Sequence, residues 1–251
     1  MVLCIYMELK GKKFWDTIAP TFVNESTFSR KYVFVPQLIK ILGNVKNKKI
    51  FEIGCGPGKN LMIFAQKGAI CAGIDYSEDM ISVARQEAER KNVYIDYSVV
   101  DALNLKSVTG TFDFVLIANF LIFLKGKTNV ERVLKHAARL LSPTGKLVIG
   151  EPHPAFDYYM RTHLNENKFD YFTSGMSYQF SMDLPSGKYS SHAYRITLED
   201  YARVLRASGF GIRNIYEPKP VAKAFTEQPE TAKQKSHFPP YIFFECTKAQ
   251  F

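Results

Sequence analysis

The chain has 251 residues, enough to bury one sizeable core in a single domain. Its 46% hydrophobic and 23% charged content excludes a disordered, collagen-like or disulfide-scaffold protein. Lys and Arg number 33 against 24 Asp and Glu, and the resulting +9 leaves nucleic acid, anionic membranes and anionic ligands open as partners.

Residues 1–7 are apolar but lack a basic leader and a small-residue cleavage site, so no signal peptide is expected. Residues 1–45 read as a helical cover that contains Phe14-Trp15-Asp16. A short apolar strand at 49–53 runs straight into Gly54-Cys55-Gly56-Pro57-Gly58. A helix follows, because Leu61, Phe64 and Ala65 recur at helical spacing and Gly68 supplies a left-handed stop. Residues 69–74 form a second buried strand ending at Asp75, and Ser77 caps a helix with Met80, Ile81, Ala84 and Ala88 on one face.

Strands at 93–97 and 112–118 come next, then a helix with Val130, Leu134, Ala137, Ala138 and Leu141 on one face, then a fifth strand at 146–150. This alternation predicts a parallel sheet between two helix layers, with ligands beyond the carboxyl ends of the strands. Residues 152–193 show little clear periodicity, and a loop of that length is either functional or wrongly assigned. Thr197 caps a helix that runs to Gly209; strands at 212–216 and 241–247 follow, with no helix expected between them, a pair most easily made antiparallel.

No membrane span is expected, since the longest apolar run, 115–124, is about half the roughly 20 residues a spanning helix needs. Cys4, Cys55, Cys71 and Cys246 make no C-x-x-C pair, which points to reduced thiols and a cytoplasmic protein.

Three nucleotide-binding motifs compete for the glycine stretch. A P-loop would place its first glycine on Ile53 and its Ser/Thr on Asn60, so it fails at both ends. A dinucleotide fingerprint is weakened, because the third glycine comes one residue early, at Gly58, and an acidic residue, Glu52, precedes the first. What remains, Glu52-Ile53-Gly54-Cys55-Gly56-Pro57-Gly58, resembles the class I S-adenosylmethionine-dependent methyltransferases of the small-molecule type. The physics suits that cofactor: it carries no phosphate but has a cationic sulfonium and ammonium, so a carboxylate at the turn is sensible.

The resemblance covers residues 15–121 and 140–150 well and 194–247 more loosely. It implies an α/β, three-layer Rossmann-like methyltransferase fold in one domain, with a mostly parallel seven-stranded sheet, an antiparallel last strand and a lid insertion after strand five at 152–193. It also implies S-adenosyl-L-methionine as cofactor. Glu52, Gly54, Cys55, Gly56 and Gly58 would surround its methionine end. Asp75, with Tyr76 and Met80 after it, would serve the ribose, because a carboxylate accepts from both hydroxyls of a diol at once. Asp101 and Ala102 would meet the adenine, and Ala118 and Asn119 would border the methionine and the transferred methyl. Taken without the family, a plain glycine turn, a helix cap at Asp75 and an Asx turn at Asp101 remain open.

Asn119-Phe120-Leu121-Ile122 stands where DNA adenine methylases carry an N-P-P-Y type tetrapeptide, which counts against methylation of DNA bases. Pro239-Pro240-Tyr241 reads as the start of the last strand. On the acceptor side Trp15, Tyr159 and Tyr178 are candidate substrate contacts within an aromatic-rich segment that could equally be its own miniature core. His153 and His192 are candidate general bases, since imidazole titrates near neutral pH, although either could be structural; Glu151 or Tyr159 would hold an amine. No metal-ligand spacing is present.

The expected function is in-line methyl transfer to an oxygen or nitrogen of a small, flat or apolar molecule, by a monomer or homodimer without a membrane partner. An RNA methyltransferase and a non-catalytic S-adenosylmethionine-binding protein are the alternatives. The basic residues fall in small scattered groups, such as Lys10-Lys12-Lys13 and Lys46-Lys48-Lys49, which favours a solvated surface over a nucleic-acid groove.

Overall fold

A computed structural model describes residues 6–8, 11–24, 27–155 and 171–249. The candidate Tyr159 lies outside the described residues, as do Cys4, Phe156, Tyr158 and Phe169.

The predicted alternation is realised as β2 (Lys49–Ile53), α3 (Lys59–Ala65), β3 (Ile70–Asp75), α4 (Glu78–Arg90), β4 (Ile95–Val99), β5 (Phe112–Ala118), α5 (Lys127–Leu140) and β6 (Leu141–Pro152). With α6 (Leu198–Ala207), β9 (Phe210–Tyr216) and β10 (Tyr241–Lys248) it builds one seven-stranded sheet in the order β4-β3-β2-β5-β6-β10-β9. Strand β10 runs antiparallel to both of its neighbours and is the lone reversed strand, as the α/β methyltransferase-like reading expects.

Side chains alternate across these strands. Phe51, Ile53, Val115, Ile117, Leu147 and Ile149 pack against α5 and α6 on one face. Ile50, Phe114, Leu116 and Val148 pack against α3, α4 and α2 (Val35–Leu42) on the other. Two apolar layers on one sheet make the three-layer architecture.

Two boundaries and one connection differ from expectation. The third predicted strand sits two residues later, at β4, because Asn92 takes a left-handed turn (φ 51°) before it. Strand β6 starts five residues early, where Leu141 pairs with Phe112. Two short helices, α7 (Ala222–Glu227) and α8 (Pro229–Lys235), lie between the last two strands and bury Ala224 and Ala232 against Tyr32.

The unassigned 152–193 segment ends in a hairpin, β7 (Ser177–Leu184) and β8 (Gly187–Tyr194). Tyr178, Phe180, Met182 and Leu184 recur with a period of two, and that alternation is the signal for the hairpin.

The N-terminal cover is not purely helical. It opens with β1 (Tyr6–Glu8), which pairs in parallel with β8 and joins cover and hairpin in a second, three-stranded sheet. Helix α1 (Gly11–Phe22) then lays Phe14 and Ile18 against Met80, Leu184 and Tyr189. A π-helical turn (Arg30–Phe34) leads into α2. The cover and the hairpin therefore sit above the carboxyl edge of the main sheet. Among the described residues no helix is long and apolar enough to cross a membrane.

Candidate active site

The turn from β2 into α3 needs three glycines in the left-handed region: Gly54 at φ 71°, Gly56 at φ 52° and Gly58 at φ 74°. A Cβ on Gly54 would come within 2.3 Å of the Phe120 ring, and one on Gly58 within 2.0 Å of the Tyr97 hydroxyl. Gly56 is different. A Cβ there would meet nothing within 4 Å, because its backbone faces the open side of a cavity of about 560 Å³. That volume is of the size that holds a drug-sized ligand.

Glu52 is 1% exposed and lines this cavity. Its Oε1 accepts a hydrogen bond from Asn60 Nδ2 at 2.7 Å, while Oε2 has no partner among the described residues. Burial pushes its carboxyl up to about 8, opposed by Asn60 and the nearby Arg30 charge. Arg30 reaches in from the π-helical turn, lines the same wall and donates from Nη2 to Asn60 Oδ1 at 2.8 Å. A buried carboxyl with an unsatisfied oxygen beside a guanidinium is a ready seat for a ligand that carries both an ammonium and a carboxylate.

One strand over, Asp75 accepts from the Gly56 N–H at 2.9 Å and the Ser77 N–H at 3.0 Å, one bond to each carboxylate oxygen. Each oxygen keeps a lone pair for a further donor. Burial pushes its carboxyl above the ordinary value. Tyr76 and Met80 line the wall beside it. Asp101 forms the Asx turn weighed from sequence, accepting from the Leu103 N–H at 2.9 Å, and it also lines the cavity together with Ala102. Asn119 holds a left-handed backbone (φ 51°) at the end of β5, donates its N–H to the Gly150 carbonyl at 2.8 Å and faces the cavity with Ala118.

Helix α1 is fastened over this half. The Ser77 hydroxyl donates to Asp16 Oδ1 at 2.6 Å, and Lys59 Nζ donates to the Phe22 carbonyl at 2.6 Å. Beyond Asn119 the walls become aromatic. Trp15 meets Phe123 edge-on at 5.0 Å and Phe22 at 6.0 Å, and Phe123 meets Phe180 at 5.3 Å. Met182, Ile122, Pro152 and Tyr241 complete this apolar end.

Residues 51–149 match the family described as a methyltransferase domain. Over that segment the chain is similar to methyltransferases. A curated relative, the ubiquinone biosynthesis O-methyltransferase of Coxiella burnetii, is 29% identical over 164 residues, 65% of this chain and 60% of that one. The chain thus spans less than two thirds of that relative's length. The fold is shared with the CcbJ methyltransferase of Streptomyces caelestis (TM-score 0.70, 14% identity, 94% of this chain and 98% of that chain). It is also shared with the magnesium protoporphyrin IX methyltransferase of Synechocystis, solved with bound S-adenosylhomocysteine (TM-score 0.60, 19% identity, 90% and 89% covered).

The cofactor candidates Glu52, Gly54, Cys55, Gly56, Asp75, Tyr76, Met80, Asp101, Ala102, Ala118 and Asn119 come together on one wall. Gly58 lies behind it, packed on Tyr97. The unsatisfied Glu52 oxygen, the open Gly56 backbone and the spare lone pairs of Asp75 fit S-adenosylmethionine.

The catalytic candidates do not join them. His153 is 3% exposed and absent from the cavity wall. Its Nδ1 accepts from the Ala155 N–H at 3.1 Å, so Nε2 carries the proton and faces Glu217 Oε1 at 2.7 Å. Both ring nitrogens are engaged in holding the chain after β6. His192 sits on β8 opposite Gln179, also away from the wall.

Glu151, the candidate amine partner, is wholly buried and accepts from the N–H groups of Phe120 at 2.9 Å and Leu121 at 2.8 Å. It props the loop after β5 and does not reach the cavity. Tyr178 lines a separate cavity of about 20 Å³ with Tyr194, Arg195 and Tyr201. Of the substrate candidates, Trp15 is on the main wall.

Sequence reasoning missed Arg30, Asn60, Phe123, Phe180, Met182 and Tyr241. For Asn60 a signal existed, since the first turn of the helix after a glycine loop necessarily faces the end of the preceding strand.

Proposed function

We propose that this protein transfers the methyl group of S-adenosylmethionine to an oxygen or nitrogen of a small, flat or apolar molecule. One observation carries this reading: the wall that seats a zwitterion at Glu52 and Arg30 continues, within one cavity, into the aromatic enclosure of Trp15, Phe22, Phe123 and Phe180. The bound cofactor supplies an electrophilic methyl on a sulfonium.

The residues of the chain divide the remaining work. Glu52 takes the ammonium and Arg30 the carboxylate. Asp75 accepts from the ribose hydroxyls, and Asp101 accepts from the adenine amino group while Ala102 offers its backbone. The aromatic enclosure aligns the acceptor and excludes water, which lowers the barrier of an in-line displacement by fixing orientation beforehand. An enclosed aromatic wall supports a small acceptor over RNA. Methyl transfer to oxygen in ubiquinone biosynthesis, the activity in the Coxiella relative's name, is compatible with such an enclosure. The described cysteines, Cys55, Cys71 and Cys246, are buried free thiols, which supports a reducing compartment such as the cytoplasm.

Isothermal titration with S-adenosylhomocysteine tests the reading: wild type binds, and Asp75→Ala does not bind at comparable concentration. Absence of binding by wild type refutes it. Cofactor binding without formation of S-adenosylhomocysteine across a broad acceptor screen would favour the non-catalytic alternative.

A further inference from the structure

Pro239-Pro240-Tyr241, read from sequence as the start of a strand, occupies a more informative place. Tyr241 opens β10, pairs with Pro152 at the carboxyl end of β6 and lines the large cavity with Pro152, Ile122 and Phe123. The edge of Phe34 holds its ring at 4.9 Å, and the His153 N–H donates to the Pro240 carbonyl at 3.1 Å. Two prolines with fixed φ precede it. The phenol is therefore mounted on a stiff strand end, and it stands in the field of Arg30.

We propose that Tyr241 is the group that receives and orients the acceptor's hydroxyl, which makes this an oxygen methyltransferase. The inference rests on the function proposed above and decides between its two acceptor atoms. The carboxylates on the cavity wall are Glu52, Asp75 and Asp101, and all three stand in the cofactor half. The remaining charged wall residues, Arg30, Lys59 and Lys125, are basic. A cationic amine would enter the aromatic end and meet no carboxylate there among the described residues. A neutral or acidic hydroxyl meets the Tyr241 oxygen, which accepts its hydrogen bond and so turns the hydroxyl's own lone pair toward the methyl carbon. The acceptor oxygen then forms its bond to that carbon, the carbon–sulfur bond breaks with its electron pair left on sulfur, and the hydroxyl proton passes to the Tyr241 oxygen as the phenol releases its own proton toward bulk solvent.

The test uses 7-hydroxycoumarin and 7-aminocoumarin, two probes of one shape, titrated into the full-length protein saturated with S-adenosylhomocysteine. The hydroxyl probe is expected to bind about tenfold more tightly, as one hydrogen bond to a buried partner allows. Tyr241→Phe, which deletes one oxygen and keeps the ring, brings the two probes within about twofold of each other while S-adenosylhomocysteine affinity changes less than about twofold. In a crystal structure with S-adenosylhomocysteine the Tyr241 hydroxyl stands within about 8 Å of the sulfur, the combined reach of a reacting contact and a hydrogen bond.

Equal or absent binding of the two probes, a preference that survives Tyr241→Phe, or a hydroxyl beyond that reach overturns the inference and leaves the methyltransferase reading intact. Failure of wild type to bind S-adenosylhomocysteine overturns that reading itself, and the inference with it.

Discussion

The two halves of the cavity are built in different ways. The cofactor half comes from three successive strand ends: Glu52 with the glycine turn after β2, Asp75 after β3 and Asp101 after β4. Each is a local device in which one residue type does one thing at a fixed distance from a strand. The acceptor half takes Trp15 from α1, Phe123 from the loop after β5, Phe180 from β7 and Tyr241 from β10. Those four rings line one cavity because β1 pairs with β8 and β10 pairs with β6. A cofactor common to many proteins is met by a reusable local pattern, whereas an acceptor peculiar to one protein is met by long-range packing.

Breaking the cofactor half should produce the largest effect. Asp75→Ala removes acceptors for the Gly56 and Ser77 N–H groups and, in the proposed function, for both ribose hydroxyls. Hydrogen bonds to a charged group are worth about 1.5–3 kcal/mol each, so S-adenosylhomocysteine affinity should fall by about 100-fold or more by calorimetry. A loss below tenfold would show that the ribose lies elsewhere.

The three glycines separate folding from binding within the same half. Gly58→Ala forces a methyl to within 2.0 Å of the Tyr97 hydroxyl at a φ of 74°, and roughly 2–3 kcal/mol of stability should be lost. Gly56→Ala meets no protein atom, so its cost to stability is the roughly 1–2 kcal/mol of the left-handed backbone alone. Its methyl instead enters the space a ligand would fill. Thermal melts and titrations of the two variants should therefore rank in opposite orders, and identical ranking would remove the distinction.

A third test compares two buried carboxyls. Burial raises Glu52 and Glu151 alike, each from an ordinary 4.5 to about 8. Their contribution to stability is therefore full below about pH 4.5 and is lost as pH rises toward 8. Only Glu52 faces the cavity, and a bound ammonium would favour its charged form. Binding near pH 7 should expel a proton, and affinity should rise between pH 6 and 8 by up to about tenfold per unit. Calorimetry in buffers of different ionisation enthalpy counts that proton, and Glu52→Gln should abolish both the proton and the slope. A flat profile in wild type would place the ammonium away from Glu52.

The same contrast explains what was legible in the sequence. Hydrophobic period and the glycine turn sufficed for the sheet, its reversed last strand and the cofactor candidates that line the cavity, because each depends on residues within a few positions of one another. Arg30 was not legible: it sits in a π-helical turn with no motif, and its relation to Glu52 runs through Asn60, thirty positions away. Phe180 and Met182 were hidden for a different reason: their alternation marks a strand, but nothing near them in the chain fixes which cavity that strand covers. His153 was misleading for a physical reason, because a histidine just beyond a strand's carboxyl end can turn toward the ligand or away from it, and only the packing of Glu217 and Ala155 decides which.

That decision gives the smallest predicted effect. His153 anchors the chain on which Tyr241 is mounted, through its N–H to the Pro240 carbonyl and its ring to Glu217, whose carboxylate is more than half exposed. His153→Ala keeps the backbone bond and loses the ring bonds, at a cost of about 1–2 kcal/mol in stability and no change in cofactor affinity. Turnover should fall by less than about tenfold, with the shape of the pH–rate profile kept, because no proton leaves the acceptor through the imidazole. A general base would behave otherwise: its removal costs about 10²–10⁴ in rate and deletes the acidic limb of the profile while stability is preserved. Measuring rate, melt and pH profile on this one variant therefore separates a histidine that holds the acceptor wall from one that works on the acceptor.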